Sequence, residues 1–231
     1  MLTRKRNSLM VFSAFLGLLF LWASNAGAAL VTLTGDNVIF TYDESNLGLF
    51  GAPKVTGDTI FFFPTNFKAQ STNGSGYSIV SSTITLGVQT KSSDLFFGNL
   101  TLVERGDYLM LGSGGSVGVA GALIATNNLD PSGPNVYVPI SSSSNLSIIG
   151  FPTNPWEATV NADLAQNGWN VITATLENLQ IASTTPPSSS SLAYIEKKFV
   201  GLGVTVVPIP GAVWLLGVGL IGLAVIKKRN K

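Results

Sequence analysis

Between Ala29 and Val206 no segment sustains the apolar period of an amphipathic helix, and that absence constrains the fold more than any motif does. What recurs instead is the short β-branched and aromatic run, closed by Gly, Asn, Asp or Pro. Leu30 to Thr34 and Asn37 to Tyr42 flank Gly35-Asp36, a hairpin dipeptide. Asp58 to Phe63 stops at Pro64. Ser78 to Val88 alternates, with Ile84, Leu86 and Val88 on one face. Leu95 to Glu104 and Asp107 to Leu111 flank Arg105-Gly106, and Gly112 to Gly115 reads as a turn. Val117 to Ala125 is apolar and small, compatible with a strand or a short helix. Asn127 to Pro139 reads as loop and Ser141 to Ser144 as low-complexity serine. Trp156 to Leu164 alternates again, and Trp169 to Ala182 reads as a strand pair or one bent strand. After a Pro/Ser loop from Thr184 to Ser191, Leu192 to Phe199 and Leu202 to Val207 close the series.

A sheet buries its apolar face only against another layer. Many short strands with no helix to cover them therefore predict an all-β domain over residues 29–206, a β-sandwich or jelly-roll-like fold. The chain has no Cys, so no disulfide supports that fold, and it has no His.

The two ends differ in character from the middle. Arg4-Lys5-Arg6 is a positive n-region, Leu9 to Trp22 an apolar run, and Ala26-Gly27-Ala28 a small-residue cleavage site. Residues 1–28 read as a secretory signal peptide cut after Ala28, with an uncleaved anchor as the alternative. At the other end, Val207-Pro208-Ile209-Pro210 precedes Val213 to Ile226, which carries no charge, and then Lys227, Lys228, Arg229 and Lys231. A helix from Gly211 to Ile226 would be about 24 Å long, slightly short of the ~30 Å hydrocarbon core. The basic cluster would hold the C-terminus in the cytoplasm. An ordinary tail anchor, or a buried Gly/Leu hairpin, fits the same residues.

This C-terminal layout resembles the PEP-CTERM protein-sorting signal of Gram-negative bacteria, which joins a Pro-x-Pro motif, a Gly/Leu-rich transmembrane helix and a basic end. Ile209 stands where the name-giving motif has Glu, so the segment 207–231 is similar to the Val-Pro-x-Pro variant. The resemblance implies processing by an exosortase at the inner membrane and an exopolysaccharide or biofilm setting, with a cell-surface or extracellular destination.

Seven of the 13 basic residues lie in the two terminal segments, leaving six against all 12 acidic ones between them, a formal charge of −6. That acidic balance, with no basic stripe, argues against nucleic-acid binding. No cofactor motif is present. His/Cys metal sites are impossible, and no Asp-x-Asp-x-Asp-Gly loop occurs. Gly114-Gly115-Ser116-Val117-Gly118 has the spacing of a nucleophile elbow, but a chain without His cannot complete that triad, and a glycine-rich turn is the simpler reading. Asp43/Glu44 and Glu104/Asp107 are the carboxylate pairs a glycan hydrolase would need, set against ordinary solvated acids. Trp156 and Trp169 are candidates for stacking on a sugar, but both open alternating strands, which favours a place in the core. The expected protein is a non-enzymatic exported surface or matrix protein. A carbohydrate-binding module is the alternative, and a carboxylate-based hydrolase ranks behind both.

Overall fold

Twelve strands account for most of the residues described by the computed structural model, which are 30–208 apart from 144 and 187–189. The expected signal peptide with Ala26 and Ala28 lies outside these residues. So do Ile209, Pro210, the apolar segment 213–226, and Lys227, Lys228, Arg229 and Lys231. Among the described residues no helix is long and apolar enough to cross a membrane.

The strands are β1 (Leu30–Thr34), β2 (Val38–Asp43), β3 (Lys54–Thr56), β4 (Thr59–Phe62), β5 (Lys68–Thr72) and β6 (Gly76–Thr90). They continue with β7 (Leu95–Leu111), β8 (Gly115–Asn127), β9 (Val136–Ser141), β10 (Asn154–Asp163), β11 (Val171–Thr184) and β12 (Leu192–Pro208). One sheet has the order β1-β2-β6-β11-β8-β9. The other runs β10-β7-β12-β4-β3, with β5 also paired to β12. Every pairing is antiparallel. The fold is thus an all-β sandwich of two antiparallel sheets, as the alternation predicts.

The core forms where the two inward rows meet. Phe40, Leu86, Leu123, Leu176 and Ile172 come from the first sheet, and Phe62, Leu100, Leu102, Ile195 and Leu202 from the second. Phe50, in the β2–β3 connection, sets its ring edge-on against Phe62 and Phe67 at centroid separations of 5.6 and 5.9 Å. Each such buried side chain contributes roughly 1.5–3 kcal/mol by leaving water. One short 3₁₀ turn, Glu44–Asn46, follows β2, and the Asp43 carboxylate accepts from the Ser45 backbone N–H to start it.

Some local readings change and one left open is settled; β12, for instance, is a single strand where two runs are expected. Leu95 to Leu111 is one uninterrupted strand, not two runs parted by Arg105-Gly106. Val117 to Ala125 is strand rather than helix, paired on both sides by β11 and β9. Part of the expected loop from Asn127 to Pro139 is β9, where Pro139 is tolerated because β9 is an edge strand.

Gly106 explains why β7 is unbroken. A Cβ there would come within 1.9 Å of the Glu196 carbonyl oxygen and 2.7 Å of Trp156 Nε1. The glycine admits a close approach inside a strand rather than making a turn. Gly106→Ala should therefore lower stability by about 2 kcal/mol or more, since the nearest atom is backbone and cannot swing away. Gly118→Ala should be neutral or slightly stabilising, because nothing lies within 4 Å of its Cβ position. Urea denaturation of the two variants checks this. The Gly106→Ala midpoint should fall with little change in slope, and equal midpoints would refute the account.

Candidate functional site

The inward row of β12 runs Ala193, Ile195, Lys197 and then Val200, Leu202, Val204. The change of parity marks a bulge between Lys197 and Phe199, where the pairing with β7 slips by one residue. Lys197 is thereby placed in the interior, only 1% exposed, beside Glu104 on the inward row of β7, which is fully buried. Lys197 Nζ donates to Glu104 Oε2 at 2.5 Å. It also lies 5.2 Å from the ring centroid of Phe67 and 5.7 Å from that of Trp156. Two aromatic faces and one carboxylate thus compensate a cation taken out of water. Burial still dominates, holding the Lys197 pKa below the ordinary lysine value against the opposing pull of Glu104.

The surrounding groups fix this pair. Trp156 Nε1 donates to the Glu196 carbonyl at 2.9 Å, passing over Gly106. From the facing sheet, the Gln180 side chain on β11 donates its nitrogen to Phe67 O at 2.7 Å and accepts from Lys197 N at 3.1 Å. Asn178, two residues back on the same inward row, is also buried. Among the described residues neither its amide oxygen nor its amide nitrogen has a hydrogen-bond partner, and Glu104 Oε1 has none either.

The outer face of the same sheet carries charges that satisfy one another. Arg105 Nε meets Glu157 at 2.6 Å, and Lys198 Nζ meets Asp107 at 2.5 Å and Glu196 at 2.7 Å. The Tyr194 hydroxyl donates to Glu196 at 2.6 Å; burial, then this carboxylate, pushes its pKa up to about 12. Lys198 is held protonated above the usual lysine range by its hydrogen bond to Asp107. Pairs this exposed contribute little to stability. Across the molecule, the outer face of the first sheet bears an open groove of about 370 Å³. Its lining includes Ser81, Thr83, Gly121, Glu177 and Tyr137.

The residues singled out from sequence fall as follows. Trp156 and Trp169 are 2% and 8% exposed and belong to the core, so neither ring offers a face to a sugar; this corrects the stacking role. Their position at the start of inward-facing alternation is the reason. Glu104 and Asp107 lie on opposite faces of β7, one paired with Lys197 and the other with Lys198, so they do not share a cleft. Asp43 is a turn cap, bonded to Ser45 and Asn46. Ser116 is the second residue of β8, and its hydroxyl meets that of Ser183 at 2.8 Å. Among the described residues no three acidic side chains gather as a metal site. Val207 and Pro208 are the last two residues of β12, paired with Phe96 and Leu95. The Lys197–Glu104 pair was missed, although the alternation places each charge in an otherwise apolar row.

No family model matches the chain, and no curated relative does. Among solved structures it is similar to infectious bursal disease virus, Gt strain, at 8% identity and a TM-score of 0.23. It is likewise similar to the VP2 subviral particle of that virus, at 10% identity and 0.23. In both cases the match covers 69% of this chain and 42% of the other. At that level of likeness neither structure informs the function.

Proposed function

We propose that this is an exported, non-enzymatic surface or matrix protein whose β-sandwich is sorted through its C-terminal segment. The signal peptide 1–28 takes the chain across the inner membrane. A transmembrane helix within 213–226 holds it there, and Lys227, Lys228, Arg229 and Lys231 keep the end inside. An exosortase-type enzyme then processes it near Val207-Pro208-Ile209-Pro210, in an exopolysaccharide or biofilm setting. The observation that carries this reading is the combination, in one 25-residue segment, of Pro-x-Pro, an uncharged Gly/Leu stretch and a basic end.

β12 runs into the motif and bears on where processing can occur. Backbone already paired in a sheet has its hydrogen bonds made and is a poor protease substrate. Among the described residues β12 stays paired through Val207 and Pro208, the first half of the motif. The processing site is thus expected beyond Pro208. A carbohydrate-binding module is the second reading, favoured by Tyr137, 61% exposed on β9 at the other side of the open groove from Ser81 and Thr83 of β6. A hydrolase needs two acids across its substrate, and among the described residues Glu177 is the only carboxylate lining that groove.

Three outcomes are expected. Replacing Pro208 and Pro210 by Ala should let the helix extend upstream, so that a full-length, membrane-held species accumulates. The mass of the mature protein and its partition between membrane and medium measure this; wild-type trimming would reduce the motif to a helix cap. Leu16→Asp with Leu19→Asp should keep the chain in the cytoplasm, and undiminished export would remove the signal-peptide reading. Polysaccharide pull-down by the whole chain should be unaffected by Tyr137→Ala; a binding activity lost in that variant would favour the module.

A further inference from the structure

We infer that Lys197 and Asn178 form an intramolecular amide cross-link between the two sheets, with Glu104 as the proton carrier. Three chemically complementary groups are buried in the same part of the interior. The amine of Lys197 is walled by Phe67 and Trp156. The carboxylate of Glu104 holds that amine with one oxygen and leaves the other unbonded. The carboxamide of Asn178 is buried with both of its polar atoms unpartnered among the described residues. Buried amides are normally paired, so an amide left without a partner among the described residues calls for a reason.

The register places Asn178 on the level of Glu104. Thr184 of β11 meets Ser71 of β5 at 2.8 Å, and Ser71 is paired with Ala193 of β12. Gln180 of β11 meets Lys197 of β12. Moving from Thr184 to Gln180 along β11 therefore runs beside Ala193 to Lys197 along β12. The next inward residue in that direction is Asn178 on β11, about 7 Å further on. On β7 it is Glu104, the partner of Val200, toward which the Lys197 side chain leans. Two rival acceptors are less well disposed. The Gln180 amide is engaged at both ends, and the Glu104 carboxylate, ion-paired to the amine, is a poor electrophile.

The chemistry balances with no added reagent. Glu104 takes a proton from the Lys197 ammonium, and burial favours this by lowering the lysine pKa. The free amine attacks Asn178 Cγ, forming the C–N bond. Glu104 returns its proton to the departing amide nitrogen, the old C–N bond breaks, and ammonia leaves. Glu104 then takes the surplus proton from the new nitrogen. The products are a secondary amide, one ammonia and a protonated Glu104. A buried charge pair is thereby replaced by a neutral bond joining β11 to β12, in a chain that has no cysteine for the purpose.

The test is a peptide map of the denatured full chain after chymotrypsin. The expected product is a branched peptide joining the segment that carries Asn178 to the segment that carries Lys197, lighter than their sum by one ammonia. It should be absent from Asn178→Ala and from Glu104→Gln, whose maps should show the two linear peptides. Linear peptides at full yield in the wild type would overturn the inference, and so would ammonia loss confined to the Asn178 peptide or water loss joining Lys197 to Glu104. A Glu104→Gln chain linked to the wild-type extent would overturn the role given to Glu104. Should either variant fail to fold, the wild-type map decides alone.

Discussion

The second sheet is organised around one buried cation. Lys197 can stay in the interior only with Glu104 at hydrogen-bond distance and Phe67 and Trp156 on its flanks. That requirement fixes other features. The bulge after Lys197 turns Val200, Leu202 and Val204 inward while keeping the lysine inward too. Gly106 carries no side chain because the Trp156 indole and the Glu196 carbonyl occupy its space. Gln180 turns its amide to the same point from the other sheet. Breaking such a pair by deleting one partner costs about 3–5 kcal/mol, far more than any surface pair on the outer face.

The topology compounds this dependence. From β6 to β8 the chain crosses between sheets at each connection, and it does so again from β10 to β12. Neighbours in sequence therefore sit in different layers, and the long pairings join strands distant in sequence, such as β7 with β12 and β6 with β11. Such non-local ladders must close long loops before their contacts form, which makes folding slow and leaves strand edges open meanwhile. A polar cluster shared by β7, β11, β12 and the residue just before β5 distinguishes the correct register from a slipped one, because a one-residue slip would turn Lys197 or Glu104 out of the core.

Much of this was legible in the residues. Alternation at Ser78 to Val88 and Trp156 to Leu164 located β6 and β10, and Gly35-Asp36 marked the β1–β2 hairpin. The same alternation put both tryptophans in the core. Arg105-Gly106 misled because glycine permits a turn and a close approach equally, and only the facing Trp156 tells them apart. The β12 strand read as two runs because its bulge changes the parity of the inward row. The charged centre went unread for a related reason. A lone Lys or Glu in an alternating row looks like an edge of the pattern until its partner, distant in sequence, is known.

β12 links the interior to the proposed tether. It lies inside its sheet, with β7 along one side and β5 and then β4 along the other. If the segment after Pro208 is held at the membrane, any pull on the domain enters along β12. The β7 ladder from Leu192 to Pro208 then bears that load along the strand, so its bonds are stressed together and not one after another. Lys197 sits partway along this path. A bond from it to β11 would pass the load into the first sheet before it reached the start of β12. A domain without disulfides can gain by this means a tie between its layers that reducing conditions do not open.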